Sequence, residues 1–218
     1  MKDQRIIRVL HCLQKVTAAW EAPIVTQLAR ESRSPFVLLI STLLSLRTKD
    51  DVTAAATEKL IALANTPEAM LRLSDQTIRK AIYPVGFYRN KARTIREVSR
   101  DLLNRFGGKV PGSLDELLSL KGVGRKSANL VLALGFGMDT ICVDTHVHRI
   151  SNRLGFVRTK SPEQTEYDLR EVLPRRYWSN YNTWMVAFGQ QICRPISPLC
   201  SQCPVETLCP KIGVTRSR

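Results

Sequence analysis

Apolar positions recur along most of the chain at the three-and-four spacing of amphipathic helices, and several of these runs carry their own start marks. Ser34-Pro35 opens one of them: the serine can accept from a first-turn amide, and the proline sits where its missing N–H costs nothing. The stripe that follows is Phe36, Leu39, Ile40, Leu43 and Leu44. Thr66-Pro67 and Ser161-Pro162 repeat the device, and Ser113 with Glu116 and Ser161 with Gln164 have the spacing of capping boxes. Gly107-Gly108 ends the periodic stretch from Lys91 to Phe106, and Gly155 ends that from Thr145 to Leu154. The one strand-like run, Thr140 to Val143, is too short to seed a sheet. The chain therefore reads as all-α, with roughly ten or more helices, no internal repeat, and a loose tail after Lys211.

Composition narrows the partner. The 33 lysines and arginines exceed the 19 acidic residues, a net charge of +14 on 218 residues, which favours a polyanion. A basic membrane-surface protein is the competing class. No run approaches the roughly 18 apolar residues of a spanning helix, and the N-terminus lacks the apolar core of a signal peptide. An intracellular nucleic-acid-binding protein is the expectation. Four of the six cysteines fall between Cys193 and Cys209, which is unlike the scatter of a disulfide framework. The two outliers, Cys12 and Cys142, read as small core residues.

Two stretches carry chemistry. From Leu117 to Asn129 two helical patterns are joined through Gly122-Val123-Gly124. Glycines allow a tight turn and expose backbone N–H groups, and the next helix starts there with its positive end outward, an arrangement that can grip a phosphate. Arg125 and Lys126 follow directly, so the turn reads as a clamp on a DNA backbone rather than a plain connection. The second stretch is Cys193, Cys200, Cys203 and Cys209, spaced C-x6-C-x2-C-x5-C. Four thiolates so close in sequence can close round one inorganic centre; zinc and a [4Fe-4S] cluster both take four cysteines, and their number alone does not separate the two. Prolines 195, 198 and 204, with Arg194 inside the first loop, make that segment a stiff, basic one.

Leu120-Lys121-Gly122-Val123-Gly124-Arg125-Lys126, followed by Val143-Asp144-Thr145-His146, resembles the hairpin and aspartate loop of the endonuclease III branch of the helix-hairpin-helix glycosylases. The similarity extends from about Ser34 to Cys209, and the cysteine spacing belongs to it. The resemblance implies a DNA glycosylase that removes oxidised pyrimidines and cleaves the abasic site. Lys126 would attack C1′ of the damaged nucleotide, Asp144 would assist, and the four cysteines would hold a [4Fe-4S] cluster. It also implies two helical lobes with a DNA cleft between them: a barrel at 28–138, and a cluster lobe built from 1–27 and 139–218. The partner would be double-stranded DNA, bound by a monomeric, cytoplasmic, nucleoid-associated enzyme.

An amine nucleophile makes sense of a lysine at this position, because it leaves a Schiff base from which the 3′ phosphate can be eliminated, and water cannot. Relatives that use water lack this lysine. Asp144 also sits where it would cap the helix that follows it. His146 and His148, on that same helix, read as structural or phosphate contacts.

Ile82 to Ala92 resembles the loop that fills the gap left by a flipped base, with Phe87 where bacterial members commonly have leucine. Leu46 to Asp50 resembles the second gap-filling loop, with Arg47 in place of a glutamine. Arginine donates only, so Arg47 is expected to favour an orphan guanine, which offers two acceptors. Lys121 stands where proline is common in related hairpins. The expected DNA-binding set is thus Arg47, Phe87, Lys121, Gly122, Gly124, Arg125 and Arg194. Two other readings stay in view: a water-using monofunctional glycosylase, and a non-catalytic helix-hairpin-helix DNA-binding module.

Overall fold

A computed structural model describes residues 2–32 and 34–218. Among these the chain forms twelve α-helices: α1 (Lys2–Thr17), α2 (Ile24–Ser32), α3 (Pro35–Ser45), α4 (Asp50–Leu63), α5 (Pro67–Arg72), α6 (Asp75–Ile82), α7 (Tyr88–Phe106), α8 (Leu114–Leu118), α9 (Arg125–Phe136), α10 (Thr145–Arg153), α11 (Pro162–Val172) and α12 (Trp178–Gln191). No strand occurs among the described residues, and no helix there is long and apolar enough to cross a membrane. Thr140 to Val143 is buried but pairs with no strand; the carbonyl of Cys142 is satisfied by Asn182 Nδ2 at 3.1 Å instead.

The chain divides into two compact units, Ile24–Met138 and Met1–Pro23 with Asp139–Arg218. The first begins where α2 begins, while the expected boundary at 28 falls inside that helix. Its centre is α3, against which α2, α4, α7 and α9 pack. The one-sided stripe expected for α3 is not what forms. Every residue from Phe36 to Leu44 is buried, Ser41 and Thr42 included, because the run is apolar nearly all round and can be covered on every side. Ser41 turns its hydroxyl back onto Leu38 O at 2.9 Å.

In the second unit α12 is the hub, packed by α1 and α10, with α11 against α10. Ile6, Val9, Leu10 and Leu13 give α1 a buried face at helical spacing, set against Tyr181, Met185 and Phe188 of α12 and others. Buried Tyr181 shares a hydrogen bond with Ser151 at 2.8 Å, and burial pushes its phenol well above the usual range. Cys142 is a core residue, as expected. Cys12 is not: it is half-buried at the core margin, where its thiol meets Pro204 O at 3.5 Å.

The caps form where the sequence marks them. Ser34, Thr66, Ser113 and Ser161 each accept from the amide three residues on. The reciprocal arms of the two capping boxes go elsewhere: Glu116 Oε2 takes the hydroxyl of Ser113 at 2.6 Å, and Gln164 Oε1 takes the amide of Lys160 at 3.0 Å.

Candidate active site and cysteine cavity

The hairpin is α8, a six-residue connection and α9. Leu120 O accepts from Val123 N at 3.0 Å, and Val123 is buried, so the turn is anchored from within. Gly122 has φ +84°, and a Cβ there would lie 2.6 Å from Thr94 Cγ2, so this position needs glycine on both counts. Gly124 is different. It is the N-cap of α9, contributes no side-chain cap, and faces open space. The first turn of α9 therefore begins without a cap from its N-cap residue, and Arg125 and Lys126 occupy that turn, both half-buried. Lys121 projects from the turn, 73% exposed, and pairs with Glu97 at 3.1 Å. An exposed pair of this kind is worth little and exchanges readily for another anion.

Asp144 is the N-cap of α10, as its position suggested. Both cap bonds fall on one oxygen: Oδ1 accepts from His146 N at 2.9 Å and from Val147 N at 2.8 Å. Capping thus needs only half of the carboxylate. His148 Nδ1 lies 2.7 Å from Thr165 Oγ1, and His146 Nδ1 lies 3.2 Å from Arg149 Nη2, so both histidines are engaged inside their own unit. Because asparagine caps about as well as aspartate, Asp144→Asn should leave thermal stability nearly unchanged, whereas Asp144→Ala should cost about 0.5–2 kcal/mol. Equal losses in melts of the two variants would show that the charge, not the cap, holds the helix start.

The four cysteines of the C-terminal motif are free thiols that line one cavity of about 400 Å³, counting the part open to solvent. Phe188, Leu199 and Val205 supply much of its apolar wall. Among the described residues no three His, Cys, Asp or Glu side chains come close enough to hold a single metal ion. Burial pushes the Cys203 thiol up to about 11, and neighbouring Cys209, Cys193 and Cys200 add to the effect while the amide of Val205 opposes it. A cationic inorganic core would reverse that penalty.

Spacing alone missed what braces this cavity. Arg149 and Arg153 stand four apart on α10 and reach the same loop: Arg149 Nη2 donates to Cys193 O at 2.9 Å, and Arg153 donates to Arg194 O and Pro195 O, each at 2.6 Å. Arg153 Nη1 also approaches Cys193 Sγ at 3.5 Å. The available signal was the pair of arginines one helical turn apart on a strongly amphipathic helix. Arg194 keeps its own side chain exposed while its carbonyl is clamped.

Arg47 and Phe87 come together within the Ile24–Met138 unit. Both are exposed and both have a left-handed backbone, φ 53° and 58°, and the guanidinium carbon of Arg47 stands 5.7 Å from the centre of the Phe87 ring.

The profile of the HhH-GPD superfamily of base excision DNA repair proteins matches residues 40–175, which span the hairpin, Lys126 and Asp144. The chain belongs to this superfamily. Among HhH-GPD relatives, the chain is 49% identical to endonuclease III of Thermotoga maritima over 80% of its own length and 82% of that protein. It is 47% identical to the endonuclease III-like protein 1 of mouse, over 80% of this chain and 59% of the mouse protein. A solved endonuclease III, trapped as a covalent intermediate with DNA, superposes with a TM-score of 0.86 at 35% identity, over 96% of each chain. The all-α HhH-GPD architecture is thus shared along nearly the whole length.

Proposed function

We propose that this protein is a bifunctional DNA glycosylase that excises oxidised pyrimidines from double-stranded DNA and then cleaves the abasic strand, acting as a monomer in the compartment that holds the DNA. The observation that carries the reading is the hairpin itself. A tight glycine turn leads into α9, whose N-cap Gly124 contributes no side-chain cap and whose first turn holds Lys126, within a chain 49% identical to an endonuclease III over 80% of its length. The +14 charge and the match to an endonuclease trapped covalently on DNA support a DNA substrate and a covalent course.

In this mechanism the amine of Lys126 attacks C1′, an N–C1′ bond forms, the bond from C1′ to the damaged base breaks, and the proton that the nitrogen sheds on bonding ends on the departing base. Opening of the sugar gives a Schiff base. A C2′ proton then passes to solvent, its electron pair flows into that sink, and the C3′–O bond breaks with the 3′ phosphate as leaving group. Asp144 stabilises the positive charge that grows on the sugar as the base departs. The turn at Gly122 and Gly124, with Lys121 and Arg125, holds the backbone phosphate, and Arg194 adds a second basic contact. Phe87 and Arg47 fill the space of the flipped nucleotide, with Arg47 favouring an orphan guanine.

Cys193, Cys200, Cys203 and Cys209 hold a [4Fe-4S] cluster. The donor set supports this: four cysteine thiols line one cavity, and a [4Fe-4S] cluster takes four thiolates. The cluster would supply a rigid structural core to the C-terminal loop, and the reaction above transfers no electrons.

Duplexes carrying one oxidised pyrimidine, one uracil or one abasic site test the reading. Base release with strand nicking is expected at the oxidised pyrimidine, nicking at the abasic site, and a borohydride-trapped adduct with both. Asp144→Asn should slow excision by more than it weakens binding. Base release without nicking or trapping would make the protein a water-using glycosylase. Binding with neither would make it a non-catalytic module.

A further inference from the structure

Arg47 lies in the turn after α3, and Phe87 lies between α6 and α7, some forty residues later. Neither tip is stable in isolation, since left-handed backbone at a residue with a large side chain persists only where the surroundings over-determine it. Lys91, one turn into α7, supplies those surroundings. Its ammonium, half-buried, donates to Leu44 O at 2.7 Å, Leu46 O at 2.5 Å and Thr48 Oγ1 at 3.1 Å. Two of these acceptors are carbonyls at the C-terminal end of α3, which are without helical partners and at the negative pole of that helix. Thr48 Oγ1 also accepts from Gly86 N at 3.2 Å, so one hydroxyl joins the two loops. The loops touch so closely that a Cβ on Gly86 would lie 2.6 Å from Arg47 O. Burial pulls the Lys91 pKa down to about 8, and the three oxygen partners fix where its donors point.

We propose that Lys91 is a positioning residue that joins the Arg47 and Phe87 loops into one preformed wedge, so that gap filling requires no reordering of either loop. The proposal rests on the reading of Arg47 and Phe87 as gap fillers. It assigns Lys91 no contact with DNA: its donors are spent on the protein, and it acts through the two exposed residues it holds in place. A loop that must find its left-handed conformation after reaching the duplex would slow every step that depends on an opened stack. Steps on single-stranded DNA, where no stack is opened and no orphan base is left, should be indifferent to it.

The test compares wild type with Lys91→Met, which keeps the hydrocarbon stem and removes the donors. Three measurements are made on each: single-turnover excision from duplex, borohydride trapping on a single-stranded abasic oligonucleotide, and the fluorescence of 2-aminopurine placed opposite a duplex abasic site. Lys91→Met should slow duplex excision on the order of tenfold to a hundredfold and reduce the fluorescence change, with single-stranded trapping unaltered. Equal losses on both substrates, or no loss on either, would overturn the proposal. Thr48→Val, which removes the shared hydroxyl but keeps the ammonium, should show the same duplex-only loss, and it decides the matter if Lys91→Met does not fold. Phe87→Ala separates the two levels. If it leaves fluorescence and duplex excision at wild-type values, the wedge reading fails and takes the proposal with it; if it lowers both while Lys91→Met and Thr48→Val do not, only the role of Lys91 fails.

Discussion

Lys126→Gln should abolish borohydride trapping and lower strand cleavage at abasic sites on the order of a thousandfold or more. Glutamine keeps much of the side chain's length and polarity but has no amine, so no bond to C1′ and no Schiff base can form. The fold should hardly respond. Lys126 is a half-buried residue in the first turn of α9, and the turn before it is held by Val123, Leu120 and the geometry of Gly122, none of which the substitution touches. The expected change in stability is about 1 kcal/mol or less. Binding to abasic duplex should persist, because the backbone grip comes from the turn and from Arg125. If Lys126 also neutralises one phosphate, the slope of log affinity against log salt should flatten by about 0.9. Trapping at wild-type yield by the variant would remove Lys126 from the mechanism and send the search to another amine.

That prediction uses a residue legible from sequence, and the reason is local. Hairpin, cap and cysteine spacing are short-range patterns: Gly122 must be glycine for its own φ and for Thr94, Ser161 caps the helix it precedes, and the four cysteines fall within one short segment. What stayed hidden depends on contacts between distant residues. Nothing near Lys91 in the chain says that it reaches Leu44 and Leu46, which lie 47 and 45 positions earlier. The bracing of Cys193 by Arg149 likewise spans 44 residues. The all-round burial of α3 goes beyond the apolar stripe because Ser41 bonds its hydroxyl within its own helix and can be buried cheaply, while the hydroxyl of Thr42 is buried without a hydrogen-bond partner among the described residues. A one-letter pattern records the polarity of a side chain but not where its hydrogen bond goes.

Purified protein handled without oxygen should be yellow-brown, with about four irons per chain, and removal of that iron should lower the melting temperature by about 10 °C or more. The size of the effect follows from how little else orders the C-terminal segment. Between Cys193 and Cys209 the backbone forms only two 3-10 turns, Cys200–Gln202 and Glu206–Leu208. Its other ties are mostly single hydrogen bonds: the arginine clamp on residues 193 to 195, Arg5 Nη1 to Leu208 O at 2.9 Å, Cys12 Sγ to Pro204 O at 3.5 Å, the exposed Lys211–Glu206 pair at 2.8 Å, and backbone bonds such as Leu199 N to Ile192 O and Arg218 N to Pro198 O, with Val205 as a fully buried apolar anchor. A cluster bonded to all four half-buried thiols would tie the segment together at four points, so Cys200→Ser should lose iron and become open to proteolysis between 193 and 209. Cys142→Ala and Cys12→Ser are the controls: the first lies in the core and the second at its margin, and both should keep full iron and colour. Colourless, active protein with one zinc per chain would replace the cluster by a single ion. That result would make the four thiolates the tetrahedral ligands of one ion, at zinc–sulfur distances of about 2.3 Å, and the structural role of the centre would stand with a different metal.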